Sequence, residues 1–312
     1  MGEVFHAIGV FFGQLASVEF GPLLLAIACH LLKTVCTSRA WQNTIMAAYP
    51  GEPVPWRTIY GSYIAGVGVN AVVPARGGDA VKLFLAHRAV PGATYTTLAA
   101  TLLVLSIFDT ALAGLLFAWA LTQGALPGLS LLPSLPGFDF GFVASNPELS
   151  LVLLVVLVIL GTIGGVSLRF RWGRFKHRVG QGLLVLGDRP RYLRSVAAWQ
   201  AADWTLRFVT IWFLLAAFGI DQSIRNVLLV QVTQSLATLV PISPGGIGTE
   251  QAFIVFVFQG TMAKAKLLAF SVGMKLTLVA VNVTAGFSAL FLMLGHLRWR
   301  DVAGQKRPAP GS

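Results

Sequence analysis

The sequence is short of charge. Only 11% of its 312 residues are Asp, Glu, Lys or Arg, while 55% are hydrophobic; a soluble domain carries about 25% charged residues. No hydrophilic stretch is long enough to form a second, soluble domain, and the longest candidate, 169–194, is a basic connection. Nucleophile elbows, nucleotide fingerprints and zinc-ligand spacings are missing, and His6, His30, His87, His177 and His296 are scattered. Neither a cofactor nor a metal is therefore expected. Cys29 and Cys36 lie two turns apart on one apolar helix face and read as free thiols. The first basic residue is Lys33, so the basic start of a signal peptide is lacking. His6 stands where myristoylation after Gly2 requires Ser or Thr.

Apolar runs fill the chain instead, and the mean hydropathy is +0.74. Five segments, 21–40, 98–120, 150–168, 199–220 and 267–294, each reach the roughly 20 apolar residues that a ~30 Å bilayer core requires. Residues 4–19 read either as an amphipathic helix lying in the interface or as the start of the first span. Two further apolar regions are interrupted: Thr58 to Val90 at Pro74-Ala75-Arg76-Gly77-Gly78-Asp79, and Asn226 to Met262 at Pro241-Ile242-Ser243-Pro244-Gly245-Gly246-Ile247-Gly248. Their arms are too short to cross, which predicts two helical hairpins that enter the membrane and turn back.

The net charge of +11 invites a nucleic-acid reading, but its distribution argues against one. Eight of the 23 Lys and Arg residues lie in 169–194, and four more follow the last apolar segment. Basic connections beside apolar spans are the positive-inside signal. Residues 121–149 carry no Lys or Arg, but do carry Asp139 and Glu148. The expected topology thus puts the N-terminus outside and the C-terminus inside the cell membrane. In this topology the two hairpins enter from opposite faces. The expected fold is a single all-α polytopic membrane domain over 1–312: an interfacial helix (1–20), a span–re-entrant hairpin–span unit (21–120), a linking span (150–168), a basic cytoplasmic loop (169–195), an inverted second repeat (199–294) and a cytoplasmic tail (297–312).

Charges within apolar helices are costly and need a reason. Arg76, Asp79 and Lys82 mark the first tip, and Glu250 follows the second. Helices restarting after Gly77-Gly78 and Gly245-Gly246 would aim backbone N–H groups into the membrane, which suits a phosphate headgroup. The balancing structural reading makes Asp79 and Glu250 partners of the helix dipole. Asp203 and Arg207, at i,i+4, read as a structural ion pair. Asp109 and Lys275 stand at nearly equal offsets from Pro74 and Pro241, which predicts a charge pair across the pseudo-twofold axis.

Two strings carry a resemblance. Asn70-x3-Pro74-x-Arg76-Gly77-Gly78-Asp79-x2-Lys82 and Pro241-Ile242-Ser243-Pro244-Gly245-Gly246-Ile247-Gly248-x-Glu250 resemble the two signatures of the lysylphosphatidylglycerol synthase transmembrane, or flippase-like, family. Asp109 and Lys275 fit its intramembrane aspartate and basic residue. Asp79 and Lys82 stand where Glu and Arg are usual, and Ser106 where an Arg is common. The resemblance implies a polytopic protein tied to lipid translocation, without the soluble aminoacyl-transferase domain found in the synthases. The expected function is a lipid flippase or lipid-binding transporter for an anionic or phosphate-containing lipid, not an enzyme. Its expected binding residues are Asn70, Arg76, Gly77, Gly78, Asp79, Lys82, Ser243, Gly245, Gly246 and Glu250. Two alternatives stand beside it: an intramembrane enzyme acting on a lipid phosphate, and a non-catalytic partner of a membrane glycosyltransferase.

Overall fold

The computed structural model describes residues 17–73, 77–122, 175–239, 248–258 and 262–295. Among the described residues every regular element is helical. In chain order they are α1 (Phe20–Ala48), α2 (Trp56–Val72), α3 (Gly77–Ala89), α4 (Tyr95–Thr122), α5 (175–183), α6 (Arg189–Tyr192), α7 (Ala198–Ala217), α8 (Ile224–Leu239), α9 (Thr249–Val257) and α10 (Lys264–Gly295).

Three of these helices are long and apolar enough to cross a membrane: Phe20–Ala48, Tyr95–Ala120 and Lys264–Leu294. They coincide with the expected spans 21–40, 98–120 and 267–294. The expected span 199–220 falls on the 20-residue helix α7, which is less apolar because it carries Gln200, Asp203 and Arg207; Gln200 and Asp203 are buried inside the bundle. The linking span 150–168, most of the interfacial helix and the tail 297–312 lie outside the described residues.

The interrupted regions form paired short helices. Their described arms are 17 and 13 residues in α2 and α3, and 16 and 9 in α8 and α9. At about 1.5 Å per residue α2 and α9, both of whose ends are described, are roughly 26 and 14 Å long, short of a ~30 Å core. Within each pair the two arms fold back on one another.

Helix α1 is the centre of the bundle, packed on α7, α2 and α4. Between helices in lipid the hydrophobic effect contributes little, so close van der Waals fit and interhelical hydrogen bonds hold the bundle. The α2–α10 crossing shows this: Gly68 and Gly286 meet backbone to backbone, where a Cβ on either would strike the other helix. Trp41 is fully buried and donates its indole N–H to Thr101 (3.0 Å), and Gln200 donates to the Leu105 carbonyl (3.1 Å). Two apolar clusters flank these polar contacts. One gathers Trp41, Ile45, Ile59 and Leu98; the other gathers Leu214, Val230, Ile254 and Phe270.

The basic connection expected over 169–195 is mostly helical where it is described, broken at Gly187 and Asp188. Helix α5 leads through a 3-10 turn (Leu184–Leu186) to α6, and a wide π turn (Leu193–Ala197) runs into α7. Asp188 caps α6 by accepting the Arg191 N–H (3.1 Å). Gln181 donates to the Ala48 carbonyl (2.8 Å) and Asn43 donates to that of Ser195 (2.6 Å). These bonds, with buried Val185 and Val196, fasten the segment to the ends of α1 and α4, while Arg189, Arg191 and Arg194 stay exposed.

Candidate functional site

Five of the expected site residues meet at the first hairpin. Asn70, on the last turn of α2, accepts the Gly78 N–H (2.7 Å) and donates to Asp79 Oδ1 (3.1 Å). Lys82 Nζ reaches the same oxygen (2.9 Å) and lies 4.9 Å from the centre of the Tyr63 ring. Gly66 and Gly78 let the two arms touch, since a Cβ on Gly78 would run into the Gly66 carbonyl. Gly77 opens α3 beside them. The Gly78 N–H, expected to be free for a phosphate, is taken by Asn70, which is a correction to the open-tip reading. Arg76 lies outside the described residues.

At the second hairpin, Ser243, Gly245 and Gly246 also lie outside the described residues. Helix α9 opens at Gly248, whose φ of 92° is poorly tolerated by any other residue, and whose N–H donates to Gln251 (2.6 Å). Buried Glu250 accepts a charged hydrogen bond from Lys275 Nζ (2.8 Å).

The expected Asp109–Lys275 pair is therefore not formed. Lys275 on α10 meets Glu250 on α9, while Asp109 on α4 accepts the Trp204 indole N–H (2.8 Å) and lies 3.7 Å from Arg207, both on α7. Equal offsets along the chain matched sequence positions, but each side chain pairs with the helix packed beside it.

The i,i+4 pair of Asp203 and Arg207 is present, with Arg207 Nε 2.6 Å from Asp203 Oδ2. Asp203 is fully buried and also accepts from Thr37 Oγ1 (2.6 Å). A buried carboxylate demands such saturation. Arg207 is thus fixed through Nε, its guanidinium 4.9 Å from the Trp204 ring centre, and it reaches beyond the pair. It lines a cavity of about 610 Å³ between α4, α7 and α8. The polar wall includes Ser106, Asp109 and Thr110 from α4, Trp204 and Arg207 from α7, and Gln231, Gln234 and Ser235 from α8. Apolar residues such as Ala113, Phe117 and Leu236 also line it.

A carboxylate, a guanidinium, amide donors and an indole face one space bounded by apolar helices, an arrangement that can hold a charged headgroup while its chains stay in apolar surroundings. Of this wall, the sequence reading singled out Asp109 as a site residue and treated Arg207 as structural. Gln231, Gln234 and Ser235 were missed. Their signal was legible: polar residues at i, i+3 and i+4 give one polar stripe on an otherwise apolar helix.

The family model for the "Lysylphosphatidylglycerol synthase TM region" matches residues 8–286. A relative named "Glycosyltransferase AglD", from Haloferax volcanii, is 30% identical over an alignment of 228 residues that covers 60% of this chain and 35% of that protein. The chain thus spans about a third of that relative's length. No solved structure matches it. With both hairpin signatures inside the matched range, the chain belongs to the lysylphosphatidylglycerol synthase transmembrane-region family.

Proposed function

We propose that the protein binds an anionic, phosphate-containing lipid in the α4–α7–α8 cavity and carries its headgroup across the cell membrane without changing it chemically. The observation that carries this reading is the cavity itself. At about 610 Å³ it suits a lipid headgroup, and its charges are tied in hydrogen-bonded pairs that hold a ligand rather than activate a nucleophile. Sequence reasoning put the headgroup at the two hairpin tips; the described room lies beside α8, one arm of the second hairpin.

Helix packing supports an inverted repeat of α1–α4 and α7–α10. The contact of α2 with α10 has its counterpart in α8 with α4, and α3 with α4 in α9 with α10; α1 meets α7 at the centre. Such repeats favour alternating access to a shared site. The charge distribution supports an outside N-terminus and an inside C-terminus.

The test is reconstitution in vesicles with fluorescent phosphatidylglycerol, following the fraction open to an impermeant quencher. The wild type should expose inner-leaflet lipid faster than protein-free vesicles; equal rates reject transport. Gly114→Trp fills the cavity from a position where an added Cβ meets nothing within 4 Å. It should slow exposure about tenfold, the effect of roughly 1.4 kcal/mol, with unfolding temperature unchanged.

A second reading, membrane partner of a glycosyltransferase, is favoured by the name of the Haloferax relative and by the share of that protein outside the match. Recovery of a glycosyltransferase with the tagged chain, together with no lipid movement in vesicles, would select it.

A further inference from the structure

A second, smaller cavity of about 90 Å³ adjoins the large one and shares Arg207, Gln231 and Gln234 with it. Its inner wall belongs to α1, through His30 and Lys33. A single water needs only about 15 Å³, so the space is of the order of a tetrahedral oxyanion and small for a sugar or amino-acid headgroup.

The charges facing it are of one sign. Lys33 and Arg207 both line it, and among the described residues no carboxylate does. Lys33 lies within electrostatic reach of Arg207 and also of the Asp203 and Asp109 carboxylates. Neither carboxylate lines the small cavity: Asp203 is engaged by Thr37 and by Arg207 Nε, and Asp109 stands in the large cavity beside Trp204. Among the described residues no carboxylate lies within ion-pair distance of the half-buried Lys33 ammonium. Gln231 and Gln234 offer amide N–H groups whose present acceptors are weak, a serine hydroxyl at 3.4 Å and a methionine sulfur at 3.6 Å. His30 is held in place by Asn282 of α10 (2.8 Å).

Two cations lining one small space, with two underused amide donors, form a site that can hold an anion. We propose that this small cavity holds the phosphate of the bound lipid, bridged between Lys33 and Arg207 and bonded by Gln231 and Gln234, while the rest of the headgroup occupies the large cavity. The assignment rests on the lipid-binding reading above and makes Lys33, outside both signatures, the residue that selects phosphate-bearing lipids over neutral ones.

The experiment measures binding of the detergent-purified full chain to three probes by calorimetry: dihexanoylphosphatidylglycerol, dihexanoylglycerol, which has the same chains without the phosphate, and inorganic phosphate. The wild type should bind the phospholipid at least about tenfold more tightly than the neutral lipid, as charge-assisted hydrogen bonds imply. Lys33→Gln should erase that preference, and Lys33→Arg should keep it. An undiminished preference in Lys33→Gln overturns the phosphate pocket and leaves the lipid-binding reading intact. Binding of neither lipid by the wild type overturns both. Inorganic phosphate that binds as tightly as the phospholipid and displaces it would make this a free-phosphate site and overturn the lipid assignment; failure to compete supports it. If Lys33→Gln does not fold, Thr210→Leu narrows the same cavity without altering charge. An unchanged preference there overturns the proposal equally.

Discussion

The two glycine-marked hairpins are alike as sequence and differ as structures. In the first, Asn70, Gly78, Asp79 and Lys82 bond to one another across α2 and α3, and Gly66 lets the arms touch. The other is directed outward. Glu250 at the start of α9 bonds Lys275 on α10, and α8 gives Gln231, Gln234 and Ser235 to the cavity. Similar signatures thus serve two tasks. One hairpin is a clamped unit, and its counterpart is tied to its neighbours by side chains, some of which also line the cavity.

The sharpest way to break this contrast is to remove one partner of the outward ion pair. Lys275→Met leaves Glu250, 3% exposed, without its cation and should cost about 3–5 kcal/mol. Thermal unfolding in detergent, followed by tryptophan fluorescence, measures it. Adding Glu250→Gln should recover much of the loss; simple additivity of the two changes would show that the pair is not coupled.

A smaller effect separates the hairpin glycines. Gly78→Ala drives a Cβ into the Gly66 carbonyl across the clamp and should cost about 3 kcal/mol. Gly248→Ala meets nothing within 4 Å and suffers only from its φ of 92°, for about 1–2 kcal/mol. Equal losses in the same melts would mean that the first hairpin is no more tightly closed than the second.

The smallest effect should come from Asp79→Asn. The Asp79 side chain is 34% exposed, and a partly solvated pair contributes about 1 kcal/mol or less. A loss as large as that of Lys275→Met would place both hairpins in one energetic class and dissolve the comparison.

Much of the local architecture was legible in the sequence. The spans at α1, α4 and α10 follow from runs of apolar residues, which specify membrane helices without reference to any neighbour. Pro74 and the paired glycines end one helix and start another by backbone rules alone, so the arms α2 and α3 fell where expected. The i,i+4 pair of Asp203 and Arg207 was readable because one helix sets its geometry. The cavity was not readable. Arg207 reads as a structural partner until α4 and α8 are set beside it, and the helical course of 175–197 was hidden by arginines that lie on its exposed face.

The sequence by itself determined that this is a helical membrane protein, where its apolar helices are interrupted, and which charges must find partners inside an apolar body. Composition, periodicity and helix-breaking residues act within a few turns of chain, and those properties follow from them. Only the tertiary structure decided the partners. Lys275 met Glu250 and Asp109 met Trp204 because α10 packs on α9 and α4 on α7. Lys33 and Arg207 came to face one small space because α1 packs on α7. Coulombic and hydrogen-bonding energies act over a few ångströms of space, and the helix neighbours that set those distances are fixed by packing across the whole bundle.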